Sequence, residues 1–100
     1  NYLERLLQND VTGRKVVIWG MRFLFPEIEQ LLIKYKSENY FAYDKNLSKQ
    51  CNPSPRILQN TSFLSENKPF VIVNTDSYFE EIITSLSTNH FKLMTDYYYF

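Results

Sequence analysis

Apolar residues in this chain form two unbroken runs and two stripes with helical spacing. The runs cover residues 16–18 and 70–73, and no polar residue interrupts them, which is typical of strands that are covered on both faces. The stripes recur every three to four residues, as on one face of an amphipathic helix. The first stripe consists of Leu24, Ile28, Leu31, Leu32 and Tyr35, and the second consists of Phe79, Ile82, Ile83 and Leu86.

Signals at the helix ends accompany both stripes. The first helix is predicted over residues 21–36, where Pro26 is tolerated only in the first turn, because backbone N–H groups there have no helical partner. Ser77 and Glu80 have the spacing of a capping box, so the second helix is expected to begin at this pair.

Further strands are predicted from weaker apolar runs. Residues 40–44 and 56–58 each form one, and residues 91–100 carry one or two final strands. Because strands then alternate with helices, we expect parallel pairing through right-handed crossovers. The predicted fold class is α/β, a three-layer Rossmann-like sandwich with a mostly parallel sheet in the order 3-2-1-4-5. Residues 16–18 and 71–73 should be its adjacent central strands.

Composition and charge bound the class of protein. The chain is 44% hydrophobic and 22% charged, as expected for one globular domain over residues 1–100. Its 11 basic and 11 acidic residues cancel without a charge run, which argues against nucleic acid or membrane as a partner. The single cysteine, Cys51, cannot form an internal disulfide, and this favours a cytoplasmic location.

The two ends of the sequence indicate a piece of a longer protein. The first residue is Asn1 rather than Met, and residues 97–100 are all aromatic. We therefore expect a following domain of the same chain as one partner of this domain.

A glycine connects the first predicted strand to the first predicted helix. Gly20 follows residues 15–19 and precedes the helical stripe, which is how a Rossmann-type domain begins. Asp44 ends the second strand, where such folds place an acid that binds ribose. Arg22 and Phe25, however, replace the second and third glycines of the fingerprint. The sequence thus predicts a nucleotide-binding type of fold while arguing against a bound dinucleotide.

Ligands in such sheets bind beyond the carboxyl ends of the strands, at the switch point between crossovers. In the predicted order this point lies between the first and fourth strands. The six candidate ligand-binding residues there are Gly20, Arg22, Asp44, Thr75, Ser77 and Tyr78, and the crevice also includes Met21, Asn74 and Asp76.

Each candidate has a purely structural alternative. Arg22 either supplies charge to a bound anion or is merely solvated. Asp44 either bonds a ribose or sugar hydroxyl or forms a strand-end turn. His90, the only histidine, is expected to cap helix carbonyls rather than to catalyse. The sequence contains no Ser-His-Asp set and no metal-ligand spacing, so no catalytic or metal-binding residue is assigned.

Three segments together resemble a known group of domains. They are Lys-Val-Val-Ile-Trp-Gly at 15–20, the acid in Tyr-Asp-Lys-Asn at 43–46, and Val-Ile-Val-Asn-Thr-Asp-Ser-Tyr-Phe-Glu-Glu-Ile at 71–82. They are similar to the Rossmann-like N-terminal or accessory domains of bacterial polysaccharide-biosynthesis proteins. That group includes sugar-nucleotide epimerase/dehydratase relatives, sugar O-acyltransferases and domains attached to FkbM-type methyltransferases. Its first strand usually ends in Trp-Gly-x-Gly, from which this chain departs at Arg22.

The resemblance implies a non-catalytic Rossmann-like module of a larger sugar-modifying or methyltransferase protein, serving in substrate binding or assembly. The alternative is a nucleotide or nucleotide-sugar binding domain that uses Arg22 and Asp44 without the full glycine loop. A third hypothesis, an NAD(P)-dependent oxidoreductase, is disfavoured by the missing glycines and by the lack of a Tyr-x-x-x-Lys pair. The expected ligand is a nucleotide-sugar or another phosphorylated molecule, and no cofactor is assigned.

Overall fold

A computed structural model describes residue 5 and residues 14–21, 24–35, 40–44, 57–58, 60–65, 69–75 and 78–99. Four strands and two α-helices follow one another in this part of the chain. They are β1 (Val16–Trp19), α1 (Phe25–Tyr35), β2 (Tyr40–Tyr43), β3 (Phe70–Val73), α2 (Phe79–Thr88) and β4 (Tyr97–Tyr99). A short 3-10 helix at Ser62–Leu64 precedes β3.

The four described strands form one all-parallel sheet in the order β2-β1-β3-β4. Ile18 of β1 lies opposite Ala42 of β2 on one side and Ile72 of β3 on the other. The prediction that residues 16–18 and 71–73 are adjacent central strands is therefore confirmed. The whole arrangement is a small α/β domain consistent with a Rossmann-like fold.

The predicted order 3-2-1-4-5 is wrong in its third strand: the described sheet has four strands rather than five, and β3 and β4 are the predicted fourth and fifth. Of the residues predicted as the third strand, the described Ile57 and Leu58 lie outside the named strands, and Ile57 makes an isolated parallel bridge with Ala42. Leu58 N–H donates to the carbonyl oxygen of Ala42 at 2.8 Å, so one ladder bond remains.

The two helices cover opposite faces of the sheet. The cluster under α1 contains Val16, Ile18, Ile28, Leu32, Tyr40, Phe70 and Ile72. The cluster under α2 contains Val17, Trp19, Phe63, Val71, Val73, Ile82, Leu86, Phe91 and Tyr97. Successive strand residues enter alternate clusters, because side chains of a strand point to opposite faces. Ile18 and Ile72 are completely buried, as predicted.

Helix α1 begins at Phe25 rather than at the predicted residue 21, and Pro26 therefore lies in the first turn, where it is tolerated. Helix α2 begins at Phe79, and its N-cap is Tyr78 in the left-handed conformation (φ 59°) without a side-chain capping bond. The N-cap is thus one residue later than the predicted capping box requires. Ser77 itself lies outside the described residues.

The carboxyl end of α2 has the hydrogen bonds of a Schellman motif. Phe91 N–H donates to Leu86 O at 2.9 Å, and His90 N–H donates to Ser87 O at 3.0 Å. His90 occupies the left-handed position (φ 67°) that glycine usually takes in this motif. The histidine therefore ends the helix through its backbone, and Phe91 joins Leu86 in the cluster under α2.

An ion pair ties the start of β1 to the turn before β4, at the amino ends of the strands. Arg14 Nη2 lies 2.8 Å from Asp96 Oδ1, and Arg14 Nη1 donates to Thr95 O at 2.9 Å. The second carboxylate oxygen of Asp96 accepts from Lys92 N–H at 2.9 Å. Asp96 is buried, so its charge is held by a guanidinium and a backbone amide together.

Candidate functional site

The candidate site lies at the carboxyl ends of β1 and β3. The loop after β1 leads to α1 on one face of the sheet, and the loop after β3 leads to α2 on the other face. The two loops therefore diverge at this edge, which is the switch point at which open α/β sheets bind ligands. The fold thus brings the loops after β1 and β3 together at the predicted switch point. What could bind there depends on the residues of these two loops.

Gly20 makes the first turn of this site and is required by its backbone. Its φ of +116° lies in the region that L-residues with a side chain rarely adopt. A Cβ at this position would lie 2.6 Å from Asn74 O and 3.3 Å from Thr75 Cβ. The two loops thus touch at Gly20, and the glycine permits backbone-to-backbone contact.

Asn74, the first residue after β3, is bonded to the loop after β1 by both its side-chain groups. Its Nδ2 donates to Gly20 O at 3.0 Å, and its Oδ1 accepts from Leu24 N–H at 3.2 Å. Its own backbone N–H donates to Trp19 O at 2.8 Å. Since Asn74 is only 1% exposed, these bonds form in a buried environment where water cannot replace them.

Asp44 closes the same loop from the opposite side. Its Oδ2 accepts a hydrogen bond from Met21 N–H at 2.9 Å. Gly20 N–H donates to Tyr43 O at 2.7 Å, so the residues after β1 and the end of β2 are joined by two adjacent bonds. The acid at the predicted ribose position is therefore engaged with the protein's own backbone.

These bonds alter what the loop after β1 can offer to a ligand. In dinucleotide-binding domains, N–H groups of this loop face the pyrophosphate. Here Met21 N–H and Leu24 N–H donate to side chains of Asp44 and Asn74. Two of its backbone donors therefore already have acceptors within the protein.

The remaining predicted ligand residues differ in what the structure says of them. Thr75 is half-buried beside Gly20, and Tyr78 is 55% exposed at the start of α2. Tyr78 combines this exposure with a left-handed backbone, a conformation that costs energy for a residue other than glycine. Arg22 and Ser77 lie outside the described residues, as does Asp76.

An aromatic cluster lies directly under the site. The Trp19 ring makes edge-on contacts with Tyr43 and Phe63, with both pairs of ring centroids 5.5 Å apart. Tyr43 and Phe63 also pack against each other with their centroids 5.9 Å apart, so the three rings together stabilise the carboxyl ends of β1 and β2. Trp19 is the only tryptophan and precedes Gly20, which makes its fluorescence a reporter on the site.

Among the described residues, no group of three or more His, Cys, Asp or Glu side chains is placed to hold a metal ion. Neither α1 nor α2, nor any other helix of the described ranges, has the length and apolar character to cross a membrane. Cys51 lies outside the described residues.

Sequence reasoning placed Asn74 in the crevice but gave it no role. The available signal is a polar amide directly after a fully buried apolar strand, because such a residue must find hydrogen-bond partners inside the protein. Its partners Gly20 and Leu24 belong to a distant part of the chain. They become predictable only when the pairing of β1 with β3 is known.

The fold and the site together define a small α/β domain, consistent with a Rossmann-like fold, with a closely bonded loop after its first strand. The chain matches no protein-family model, and comparisons with curated proteins and with solved structures likewise give no match. The resemblance to domains of polysaccharide-biosynthesis proteins accordingly stays a prediction.

Proposed function

We propose that this chain is a non-catalytic Rossmann-like module of a larger sugar-modifying or methyltransferase protein, where it serves in substrate binding or assembly. The observation that carries the proposal is the bond from Met21 N–H to Asp44 Oδ2 at 2.9 Å. This one contact engages an amide of the phosphate-binding loop and also an oxygen of the acid that would bind ribose. The pyrophosphate and the ribose of a dinucleotide therefore each lose a hydrogen-bond partner.

Phe25 supports the same proposal. It stands where the third glycine of the fingerprint permits close packing of helix and strand, and its ring packs against the cluster under α1. A bulky side chain at this position opposes the close packing of helix and strand that the third glycine permits in a dinucleotide-binding domain. The chain keeps the architecture of such a domain without its pyrophosphate loop.

The divergence of the two loops to opposite faces of the sheet supports a second candidate function, the binding of a nucleotide-sugar or another phosphorylated sugar. Tyr78 offers an exposed aromatic ring there for stacking on a base or sugar. In this alternative the ligand lies between the loop of Gly20 and residues 74–78, with Asp44 at its hydroxyl end. NMR shift mapping with a panel of nucleotide-sugars tests it, and shifts at the opposite edge of the sheet would reject it.

Calorimetric titration with NAD and NADP tests the first proposal. We expect no saturable binding of either cofactor, because a pyrophosphate would have to displace Asp44 from Met21 N–H. The Trp19 fluorescence spectrum before and after titration verifies that the protein is folded. A micromolar dissociation constant for either cofactor would contradict the proposal and restore the oxidoreductase hypothesis.

A further inference from the structure

We propose that the carboxylate of Asp44 is an autoinhibitory group that occupies the anion-accepting amide of the loop after β1. The loop would accept an external anion at Met21 N–H only when this carboxylate is removed or displaced. The inference rests on the proposed function in one respect, namely that the intact loop binds no dinucleotide.

The first step concerns the contact itself. A carboxylate oxygen that accepts from a backbone N–H makes a charge-assisted hydrogen bond, stronger than one between neutral groups. Asp44 Oδ2 lies 2.9 Å from Met21 N, the distance that an oxygen of a bound phosphate would take. An incoming anion must therefore compete for the same donor and also approach a like charge, and both effects oppose binding.

The second step concerns the shape of the loop without Asp44. Gly20 N–H remains bonded to Tyr43 O, and Gly20 O remains bonded to the side chain of Asn74. Leu24 N–H keeps its bond to the same Asn74 side chain. Removal of the carboxylate thus exposes one amide in a loop that stays fixed on either side of it.

The third step separates this role from the one expected of a ribose-binding acid. If Asp44 bound a hydroxyl of the ligand, its removal would weaken the binding of every ligand in the crevice. If Asp44 blocks the loop, its removal increases the binding of an anion. The two roles therefore predict opposite changes in anion affinity when Asp44 is replaced by alanine.

The experiment uses inorganic pyrophosphate as the probe and backbone amide NMR as the readout. We expect no shift of the Met21 amide in the wild-type protein at millimolar pyrophosphate. In Asp44→Ala we expect saturable shifts at Gly20 and Met21, with an affinity at least about tenfold higher than in wild type. Asp44→Asn is the matched variant: its side-chain oxygen can still accept from Met21 N–H but carries no charge, so its affinity for pyrophosphate should lie between those of wild type and Asp44→Ala.

Two outcomes would overturn the inference. One is an Asp44→Ala protein that binds pyrophosphate no better than wild type, and the other is an Asp44→Asn protein that binds as well as Asp44→Ala. If Asp44→Ala does not fold, hydrogen exchange in the wild-type protein decides. The Met21 amide should be protected like the amide of Gly20, and exchange at the rate of an unstructured peptide would reject the contact. Cofactor binding by wild type would instead refute the proposed function, so the two failures are distinct.

Discussion

Asn74 donates its side-chain amide to Gly20 and lays its backbone carbonyl against the same glycine, although the two residues lie in loops that follow different strands. Asn74 Nδ2 donates to Gly20 O at 3.0 Å, and Asn74 O lies 2.6 Å from where a Cβ of Gly20 would be. The loop after β1 therefore takes its shape from the residue after β3. Substitutions at either residue test this relationship directly.

Replacement of Gly20 by alanine should destabilise the protein by at least about 2 kcal/mol, because the backbone is strained for any side chain and the new methyl group meets Asn74 O. Urea unfolding measures the loss. Ser87→Ala, at an exposed position of α2, is the control and should stay within about 0.5 kcal/mol of wild type. A loss below about 1 kcal/mol in Gly20→Ala would mean that the loop relaxes away from Asn74.

Asn74→Asp should lower the free energy of unfolding by about 2–4 kcal/mol at pH 7. The new carboxylate keeps an acceptor for Leu24 N–H, but it cannot donate to Gly20 O, and it places a charge at a position that is 1% exposed. Chemical denaturation of both proteins at pH 7 gives the difference.

The loss in Asn74→Asp should depend on pH with a definite sign. Burial disfavours the ionised carboxyl, so its pKa in the folded protein is raised above the value of about 3.9 in an unfolded chain. The missing stability is thus recovered as the pH falls towards about 4, where the protonated carboxyl can donate again. Asn74→Ala is the matched control, and its loss relative to wild type should be independent of pH. Equal losses at pH 4 and pH 7 in Asn74→Asp would contradict the assignment.

The sequence predicted the parts of this fold that depend on local pattern. The two unbroken apolar runs form β1 and β3, and every residue of both strands is buried, as the pattern predicts. Gly20 was placed correctly in the turn after β1, since a strand that continues into a helix needs a residue tolerant of positive φ. Such features follow from neighbours in the chain, and they were therefore accessible without a structure.

The rest depended on contacts between distant segments. Asp44 was expected either to bond a hydroxyl of a ligand or to form a strand-end turn, and its bond to Met21 N–H arises from the pairing of β1 with β2. In the strand predicted at residues 56–58, the described Ile57 makes a single bridge with Ala42. Hydrophobic pattern reports burial, and it does not report which backbone groups find a partner.

The two central isoleucines provide a test of the core. Ile18→Ala and Ile72→Ala should each cost about 2–5 kcal/mol, because both side chains are fully buried and their removal leaves a cavity in the cluster under α1. Ile33→Ala is the matched control, since Ile33 is on α1 but 56% exposed, and it should cost less than about 1 kcal/mol. Similar losses at all three positions would show that the core lies elsewhere.

Removal of Asp96 should destabilise the protein more than removal of its ion-pair partner Arg14. Asp96→Ala removes the acceptor of both Arg14 Nη2 and Lys92 N–H, and it should cost about 2–3 kcal/mol. Arg14→Ala leaves the Lys92 bond in place. Because the Arg14 side chain is 28% exposed, water then replaces part of its contact, and the cost should be only about 1 kcal/mol.

A double-mutant cycle separates the ion pair from the turn that Asp96 forms with Lys92. We expect a coupling of about 0.5–1 kcal/mol between Arg14 and Asp96 at low salt, because the pair is partly shielded from water and its N–O distance is 2.8 Å. The coupling should fall in about 1 M NaCl, where screening acts over roughly 3 Å. The bond from Lys92 N–H to Asp96 Oδ2 is local and should persist in salt, so most of the loss in Asp96→Ala should remain. A coupling near zero, with an undiminished loss in Asp96→Ala, would assign the stabilisation to the turn before β4 rather than to the ion pair.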